Sequence, residues 1–386
     1  MKYTLSNGET RYRVRYVKPD NKPTDKRGFR TKAAARAWLH EMEVAKSSGT
    51  FVTVTAQRTL MGKLIDEHVG LTVGLSRNTV AQRRSHATNW VLPKWQNWPV
   101  GNVNKYAVEQ WIQELTEDGA GAETIRKCHQ LLVSVMERAV DQNLIARNLV
   151  KRVRLPRIST KKHPYLTFDE VAELATEIDP RYRLLVVFLA LTGLRFGEAA
   201  ALRVNSLDLQ RRLISVDESV TEVEGVIQFG PTKDHKRRIV AFAEILDHDL
   251  AEAVAGKTHD SLVFTSPDGK PLRHTTWRRR FWNPAIHRLT ARRVNAASTN
   301  AGFPVVTPHD LRHTAASLAI RGGASVVAVQ RMLGHADAKM TLNTYAGLFT
   351  NDLVDVANVL SASAAMSTLI DVLKTPARSA RPGEER

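Results

Sequence analysis

One stretch constrains this chain more than any other. From residue 151 the sequence runs Lys-Arg-Val-Arg-Leu-Pro-Arg, and then Lys161-Lys162-His163-Pro164, with neither helical nor strand periodicity. A basic, proline-marked segment of this kind ends one folded region and begins another. Before it, apolar residues repeat at helical spacing. After it, short strand-like runs are set between helices. The chain therefore reads as multidomain and mainly α with small β-sheets, and its 386 residues suit two or three domains.

The charge follows the same division. The formal net charge is +17 and the pI is near 10.1. The first 165 residues hold 29 of the 56 Lys and Arg but only 14 of the 39 Asp and Glu, so they carry nearly all of the excess. The rest is almost balanced, and any anion site there must be a local constellation. An excess of this size points to a polyanion, either nucleic acid or an anionic membrane surface. No apolar run reaches the roughly 18 residues of a membrane-spanning helix, and neither a basic amphipathic helix nor a lipidation motif is present. That favours nucleic acid and no membrane. The start, Met1-Lys2-Tyr3-Thr4, lacks a signal-peptide core, which predicts a cytoplasmic protein. The one cysteine, Cys128, excludes a disulfide framework and a cysteine-rich metal site, and reads as inert helix core.

Residues 1–55 read as a small ββ(β)α module. Arg11 to Tyr16 alternates strictly, so a strand there puts Arg11, Arg13 and Arg15 on one face and Tyr12, Val14 and Tyr16 on the other. Pro19-Asp20-Asn21 is turn chemistry, and a second strand is expected near Gly28-Phe29-Arg30. Thr31 suits an N-cap for a helix over 33–45, with Trp38, Leu39 and Met42 packing on the sheet. A solvated strand face is the plain reading of the three arginines. Three cations without an interleaved acid favour DNA docking, because a small sheet can enter the major groove.

Residues 56–150 read as a helical bundle, with helices expected over 56–69, 77–91, 105–117 and 123–143. Val108, Trp111, Ile112 and Leu115 form a core stripe, as do Leu131, Leu132, Val135 and Ala139. Trp90, Trp95 and Trp98 read as core and loop anchors. The second helix carries Arg77, Arg83 and Arg84 with no acid between Ser76 and Val91, which makes it a candidate phosphate contact. Lys151, Arg152 and Arg154 in the following linker, 151–164, are placed to track a phosphate backbone. Residues 375–386 are polar and read as a disordered tail.

The second half holds several individually weak motifs. Leu184 to Leu191 predicts a buried helix closed by Gly193, and Phe196 to Leu202 the next helix. Arg195 between them suits an anion beside a helix start, with Glu198 three residues on to hold the guanidinium. Strands are expected at 213–216, 226–229 and 239–242. The last two flank a basic hairpin loop, Pro231 to Arg238, that carries Lys233 and Lys236. Thr307-Pro308-His309-Asp310 is a helix start, with Thr307 as N-cap. His309 and Arg312 then share a face in the first turn. Ser325 caps a short helix that Gly334 ends, presenting His335. Tyr345 follows ten residues later, after an expected Thr341 cap.

His309 and His313 have the i, i+4 spacing of a zinc helix. That motif needs glutamate where Asp310 stands, and Arg312 between the histidines repels a dication, so no metal is expected. Two arginines, a lysine, two histidines and a tyrosine suit a phosphodiester instead. Two guanidiniums can hold its non-bridging oxygens and stabilise a pentacoordinate transition state. A tyrosine hydroxyl can attack phosphorus, and a lysine or histidine can protonate the leaving oxygen.

Arg195, Lys233, His309-x-x-Arg312, Leu333-Gly334-His335 and Tyr345, in this order, resemble the tyrosine recombinase family, in particular the phage-type integrases. The motifs T-G-L-R-F-G-E (192–198), H-D-L-R-H-T (309–314) and L-G-H (333–335) carry the resemblance. It implies an arm-type DNA-binding domain over 1–55, a core-binding helical domain over 56–150 and an α+β catalytic domain over 165–360, followed by a tail, 361–386. It implies Tyr345 as nucleophile, Arg195 and Arg312 as clamps on the scissile phosphate, and Lys233 as general acid, with Lys236 its nearby rival. His309 then helps to deprotonate the tyrosine, His335 bonds the phosphate, and Glu198 matches an acidic supporting position. No cofactor is implied, because the bond energy stays in the phosphotyrosine. The partners implied are double-stranded DNA at core-type and arm-type attachment sites, three further copies in a tetramer, and a host DNA-bending protein and an excision factor. Residues 350–361 match the segment that the family passes to a neighbouring copy. The resemblance further implies action at the nucleoid of a bacterial host. A type IB topoisomerase shares this chemistry but not the arm-binding module. A non-enzymatic DNA-binding protein would use the six residues structurally.

Overall fold

The computed structural model describes residues 1–17, 23–47, 52–158, 164–232, 237–296, 302–335, 337–345 and 348. The turn expected at 19–21, both loop lysines (Lys233 and Lys236), the segment 350–361 and the tail lie outside the described residues. The chain forms two compact units, Met1–Thr160 and Lys161–Arg386.

The first unit begins with a three-stranded antiparallel sheet, β1 (Lys2–Thr4), β2 (Thr10–Val17) and β3 (Pro23–Phe29), in that order. The strict alternation expected of β2 is interrupted. Tyr12 pairs with Phe29 but Val14 pairs with Lys26, and the bulge is accommodated by Gly28 at φ +97°. The arginine face is also not bare. Arg15 pairs across the ladder with Asp25, Arg13 lies 3.9 Å from the same carboxylate, and Arg11 donates to Glu9 at 2.8 Å. Thr31 caps the helix Lys32–Ser47, accepting from the Ala34 N–H at 3.1 Å. Trp38 packs from that helix on Tyr16 and Phe29, with ring centroids 5.2 and 5.8 Å away.

The helical part has helices at Met61–Gly70, Arg77–His86, Lys105–Glu117 and Ala122–Asp141. The first expected helix is split into Val54–Gln57 and Met61–Gly70, because Leu60 bridges to Pro99. The second runs on through a π-turn, Ala87–Val91. Trp95 and Trp111 are fully buried at the centre, 5.6 Å apart and edge-on. The basic segment does not leave the bundle at once. Val153 and Leu155 pack on its core, and Arg126 donates to the Pro156 carbonyl at 3.1 and 2.9 Å.

The second unit is built around the helix Arg183–Thr192, whose Leu185, Val186, Phe188, Leu189 and Ala190 are all buried. The helices Phe168–Glu177 and Asp310–Arg321 pack on it, and two small antiparallel sheets add Ile214, Val216, Val220 and Val240 to the same core. One orders β4 (Leu207–Asp208), β5 (Leu213–Val216) and β8 (Arg238–Ala241), and the other pairs β6 (Glu218–Val223) with β7 (Val226–Pro231). This corrects the expected hairpin. β7 pairs with the unforeseen strand β6, and β8 pairs with β5, so the basic segment passes from one sheet to the other instead of closing a hairpin. Three helices of the unit carry the motifs from residue 309 onward: Asp310–Arg321, Val326–Leu333 and Ala338–Tyr345. The last starts earlier than expected. Asp337 accepts from the Lys339 N–H at 2.9 Å, and Thr341 lies inside the helix rather than capping it. Among the described residues no helix is long and apolar enough to cross a membrane.

Candidate active site

Three turns and one helix bring the second unit's motifs together. The first turn follows the Arg183–Thr192 helix. Gly193 takes φ +66°, a left-handed conformation that side chains resist, and a Cβ there would lie 2.9 Å from Leu333 Cδ2. The reversal places Arg195 at the start of the helix Phe196–Ala201. Glu198, in that helix, accepts from the Arg195 backbone N–H at 2.8 Å and from Arg195 Nη1 at 2.9 Å.

Glu198 is 2 % exposed. Its carboxylate is held a second time by Arg238 of β8, Nη1 to Oε1 at 2.9 Å and Nη2 to Oε2 at 2.6 Å. Burial raises the pKa of such a group. The bonds and charge of Arg238, with the backbone N–H and charge of Arg195, outweigh it and hold the carboxyl below its ordinary range. Glu198 therefore stays an anion between two guanidiniums.

The second turn closes the Val326–Leu333 helix. Gly334 takes φ +67°, and a Cβ there would fall 2.7 Å from Arg238 Cδ. Only glycine lets Arg238 pass so close. His335 follows, its Nδ1 2.9 Å from Thr341 Oγ1 in the last helix.

Arg312 joins these two turns. Its Nη1 donates to the Gly193 carbonyl at 2.7 Å, and its Nη2 to the Leu333 carbonyl. Two of the five N–H donors of the guanidinium are used this way. Burial, with the charge of Arg195 next, lowers its pKa to about 10, so it remains a cation at neutral pH. The net result is three arginines around one buried carboxylate, an excess of positive charge in a region that is neutral overall.

The third turn opens the Asp310–Arg321 helix. Asp310 accepts from both the backbone N–H and the hydroxyl of Thr307, each at 2.7 Å. Thr307 is therefore bonded by Asp310 in the turn before the helix, and His309 stands at the cap position, exposed.

Tyr345 is 1 % exposed and packs against Ala316, Ile320, Val329 and Leu333. Its hydroxyl lies 2.8 Å from His313 Nδ1. The sequence offers His313 no role beyond the rejected zinc spacing, and Arg238 none beyond closing the basic loop. The repeat of histidine one turn after His309 was the available signal for the first. Nothing local signalled the second, since its partner lies 40 positions earlier. Burial pushes the Tyr345 hydroxyl well above the ordinary tyrosine range, against the opposing charge of Arg312.

The structure thus brings Arg195, Glu198, Arg312, His335 and Tyr345 into one region, with His309 at its edge. Lys233 lies outside the described residues, and the remaining candidates lie on the first unit. Arg83 donates to the Leu71 carbonyl at 3.2 Å, and Lys151 pairs with Glu137 at 2.9 Å. Arg77, Arg152 and Arg154 are exposed.

Comparison with known proteins agrees with this arrangement. The profile of the phage integrase family matches residues 164–351. A prophage phiRv2 integrase of Mycobacterium tuberculosis is 25 % identical over 347 residues, covering 86 % of this chain and 88 % of its own. The Tn1549 transposon integrase, solved in complex with circular intermediate DNA, superposes with a TM-score of 0.65 at 20 % identity, over 74 % of this chain and 95 % of its own. A lambda integrase tetramer bound to a Holliday junction gives 0.57 at 18 % identity, over 89 % of this chain and 94 % of its own. Residues 164–351 of the second unit thus form a phage integrase family domain.

Proposed function

We propose that this protein is the integrase of a phage or other mobile element, a site-specific recombinase that cuts and rejoins DNA through a 3′-phosphotyrosyl intermediate. Tyr345 attacks the scissile phosphate, the phosphate stays on the tyrosine, and a 5′-hydroxyl leaves. The 5′-hydroxyl of the partner duplex then attacks the phosphotyrosine. One exchange forms a Holliday junction and a second resolves it. Each step exchanges one phosphodiester for another, so the bond energy is kept and no nucleotide cofactor is needed.

The observation that carries this reading is the position of Arg312, bonded to the carbonyl before the Arg195 turn and to the carbonyl before His335. One guanidinium sets the spacing of the groups that would surround a phosphate. Arg195 and Arg312 clamp its non-bridging oxygens, His335 bonds one of them, and Glu198 orients Arg195. Lys233, or Lys236 beside it, protonates the leaving 5′ oxygen. In the described arrangement Tyr345 is buried, so its surroundings must open to admit a phosphate.

Around this chemistry we place the rest of the molecule. Residues 1–55 bind arm-type sites through Arg11, Arg13 and Arg15. Residues 56–150 bind core-type sites through Arg77 and Arg84, Arg83 being turned onto the Leu71 carbonyl instead, and the segment 151–164 follows the backbone with Lys151, Arg152 and Arg154. Residues 165–360 catalyse, 361–386 form a tail, and the protein acts as a tetramer in the bacterial cytoplasm, at the nucleoid. A host DNA-bending protein and an excision factor set the direction.

The test is covalent trapping. A nicked duplex whose 5′-hydroxyl fragment diffuses away should accumulate protein–DNA adduct with the natural chain and none with Tyr345→Phe. Adduct that survives the substitution overturns the mechanism. Relaxation of supercoiled DNA without a second site would favour a topoisomerase instead.

A further inference from the structure

Among the described residues, the Tyr345 hydroxyl bonds a histidine outside the set that the resemblance supplies. His313 Nδ1 lies 2.8 Å from Tyr345 Oη, within the range in which a base takes a proton from its nucleophile. The two rings are 5.8 Å apart between centroids and inclined by 56°. His309, one turn earlier, meets the His313 ring edge-on at 5.4 Å and 90°. His309 is exposed, His313 is half-buried and Tyr345 is buried. The three rings run in that order from solvent inward.

We propose that His313, rather than His309, is the catalytic residue that takes the hydroxyl proton of Tyr345 during strand cleavage. This rests on the recombinase reading above and deepens it. The Tyr345 O–H bond breaks and its proton passes to His313 Nδ1, while the tyrosyl oxygen bonds to phosphorus. The bond from phosphorus to the 5′ oxygen breaks, and that oxygen takes its proton from the lysine general acid. Rejoining runs the same transfers backward, and His313 returns the proton to the departing tyrosyl oxygen.

Three features of the site support the assignment. A buried phenol ionises poorly, so attack near neutral pH needs a base in contact with the hydroxyl rather than a standing phenolate. Neutral imidazole with its hydrogen on Nε2 offers Nδ1 as that base. Arg312, the adjacent residue on the same helix, favours the negative charge that develops on the tyrosyl oxygen. Among the described residues, the charged and titratable groups beside the pair include His309 and Arg312 from the helix of His313, and Tyr165, whose ring lies 6.2 Å from that of Tyr345.

The experiment uses the full chain and a nicked duplex carrying the core site, read by sequencing DNA trapped on the protein. Single-turnover adduct formation is followed from pH 5.5 to 9, a span on the order of three units around the ordinary histidine pKa. The natural chain should speed up as imidazole deprotonates and then level off. His313→Ala should be slower by roughly 100-fold or more, lose that rise and recover in part with added imidazole. His313→Asn keeps an acceptor near the Nδ1 position but cannot carry the proton, and should be equally slow. His309→Ala should keep the rise. Near-natural rates in His313→Ala or His313→Asn overturn the proposal, as does loss of the rise in His309→Ala alone. If His313→Ala fails to fold, as read from its thermal transition, His313→Asn decides. Adduct formed by Tyr345→Phe would instead remove the recombinase reading itself, whatever His313 does.

Discussion

Glu198 and Arg238 meet through two parallel hydrogen bonds, at 2.9 and 2.6 Å, in a place where the carboxylate is almost wholly shielded from water. The same carboxylate receives the backbone N–H and a guanidinium N–H of Arg195. A strand that belongs to one sheet thereby fixes the arginine of a turn between two helices.

That contact has a pH signature. The folded-state pKa of Glu198 is lowered, so its stabilisation is complete above the ordinary carboxylate range, about pH 4.3, and fades as pH falls through the lower folded value. Glu198→Gln should lose about 3–5 kcal/mol at neutral pH, since it leaves Arg238 buried without its counter-charge. Urea unfolding of the natural chain should show a loss below about pH 4 that is smaller in the variant, because Gln cannot titrate. Equal acid sensitivity of the two would contradict the pairing.

The two left-handed glycines should be intolerant of even a methyl group. Gly334→Ala forces alanine to φ +67° and sets its Cβ 2.7 Å from Arg238 Cδ. We expect a loss of about 1–3 kcal/mol in denaturant unfolding, together with slower adduct formation as Arg238 shifts. Gly193→Ala should behave alike through Leu333. An unchanged denaturation midpoint in both would mean that these turns relax freely.

Tyr345 should be chemically silent until DNA arrives. In the free protein tetranitromethane should nitrate Tyr106, which is 68 % exposed, and spare Tyr345, which is 1 % exposed. Binding of the core site should make Tyr345 reactive as its surroundings open to admit the phosphate. Peptide mass mapping reads both, and early nitration of Tyr345 in the free chain would show that it is not stowed.

Salt dependence should separate the arginines of the first unit. Arg77, Arg152 and Arg154 have no hydrogen bond or ion pair among the described residues, and each changed to alanine should reduce the slope of log binding constant against log salt by about one. Arg83 is turned onto the Leu71 carbonyl. Arg83→Ala should leave the slope alone and lower the thermal transition instead. A reduced slope with Arg83→Ala would place that side chain on DNA after all.

The elements governed by neighbours in the chain were legible without coordinates. The helix Lys105–Glu117 begins where Asn104 accepts from the Ala107 N–H, and Thr31 caps its helix as its position implied. The strand Glu218–Val223 was not legible, because Glu-Ser-Val-Thr-Glu-Val buries only Val220 and its support is the partner strand. The same cause misplaced the hairpin: ladder bonds join residues by register, and a basic loop looks alike whether it joins paired strands or crosses between sheets.

By itself, then, the sequence determined most of the bundle helices, the Thr31 cap, the glycine-closed turns and the types of residue available to a phosphate, since each of these depends on contacts within about one helical turn. The folded chain alone decided which of those residues meet. Glu198 lies 40 positions from Arg238, Gly193 119 from Arg312, and His313 32 from Tyr345. Such contacts follow from how the elements pack, and no local periodicity encodes them.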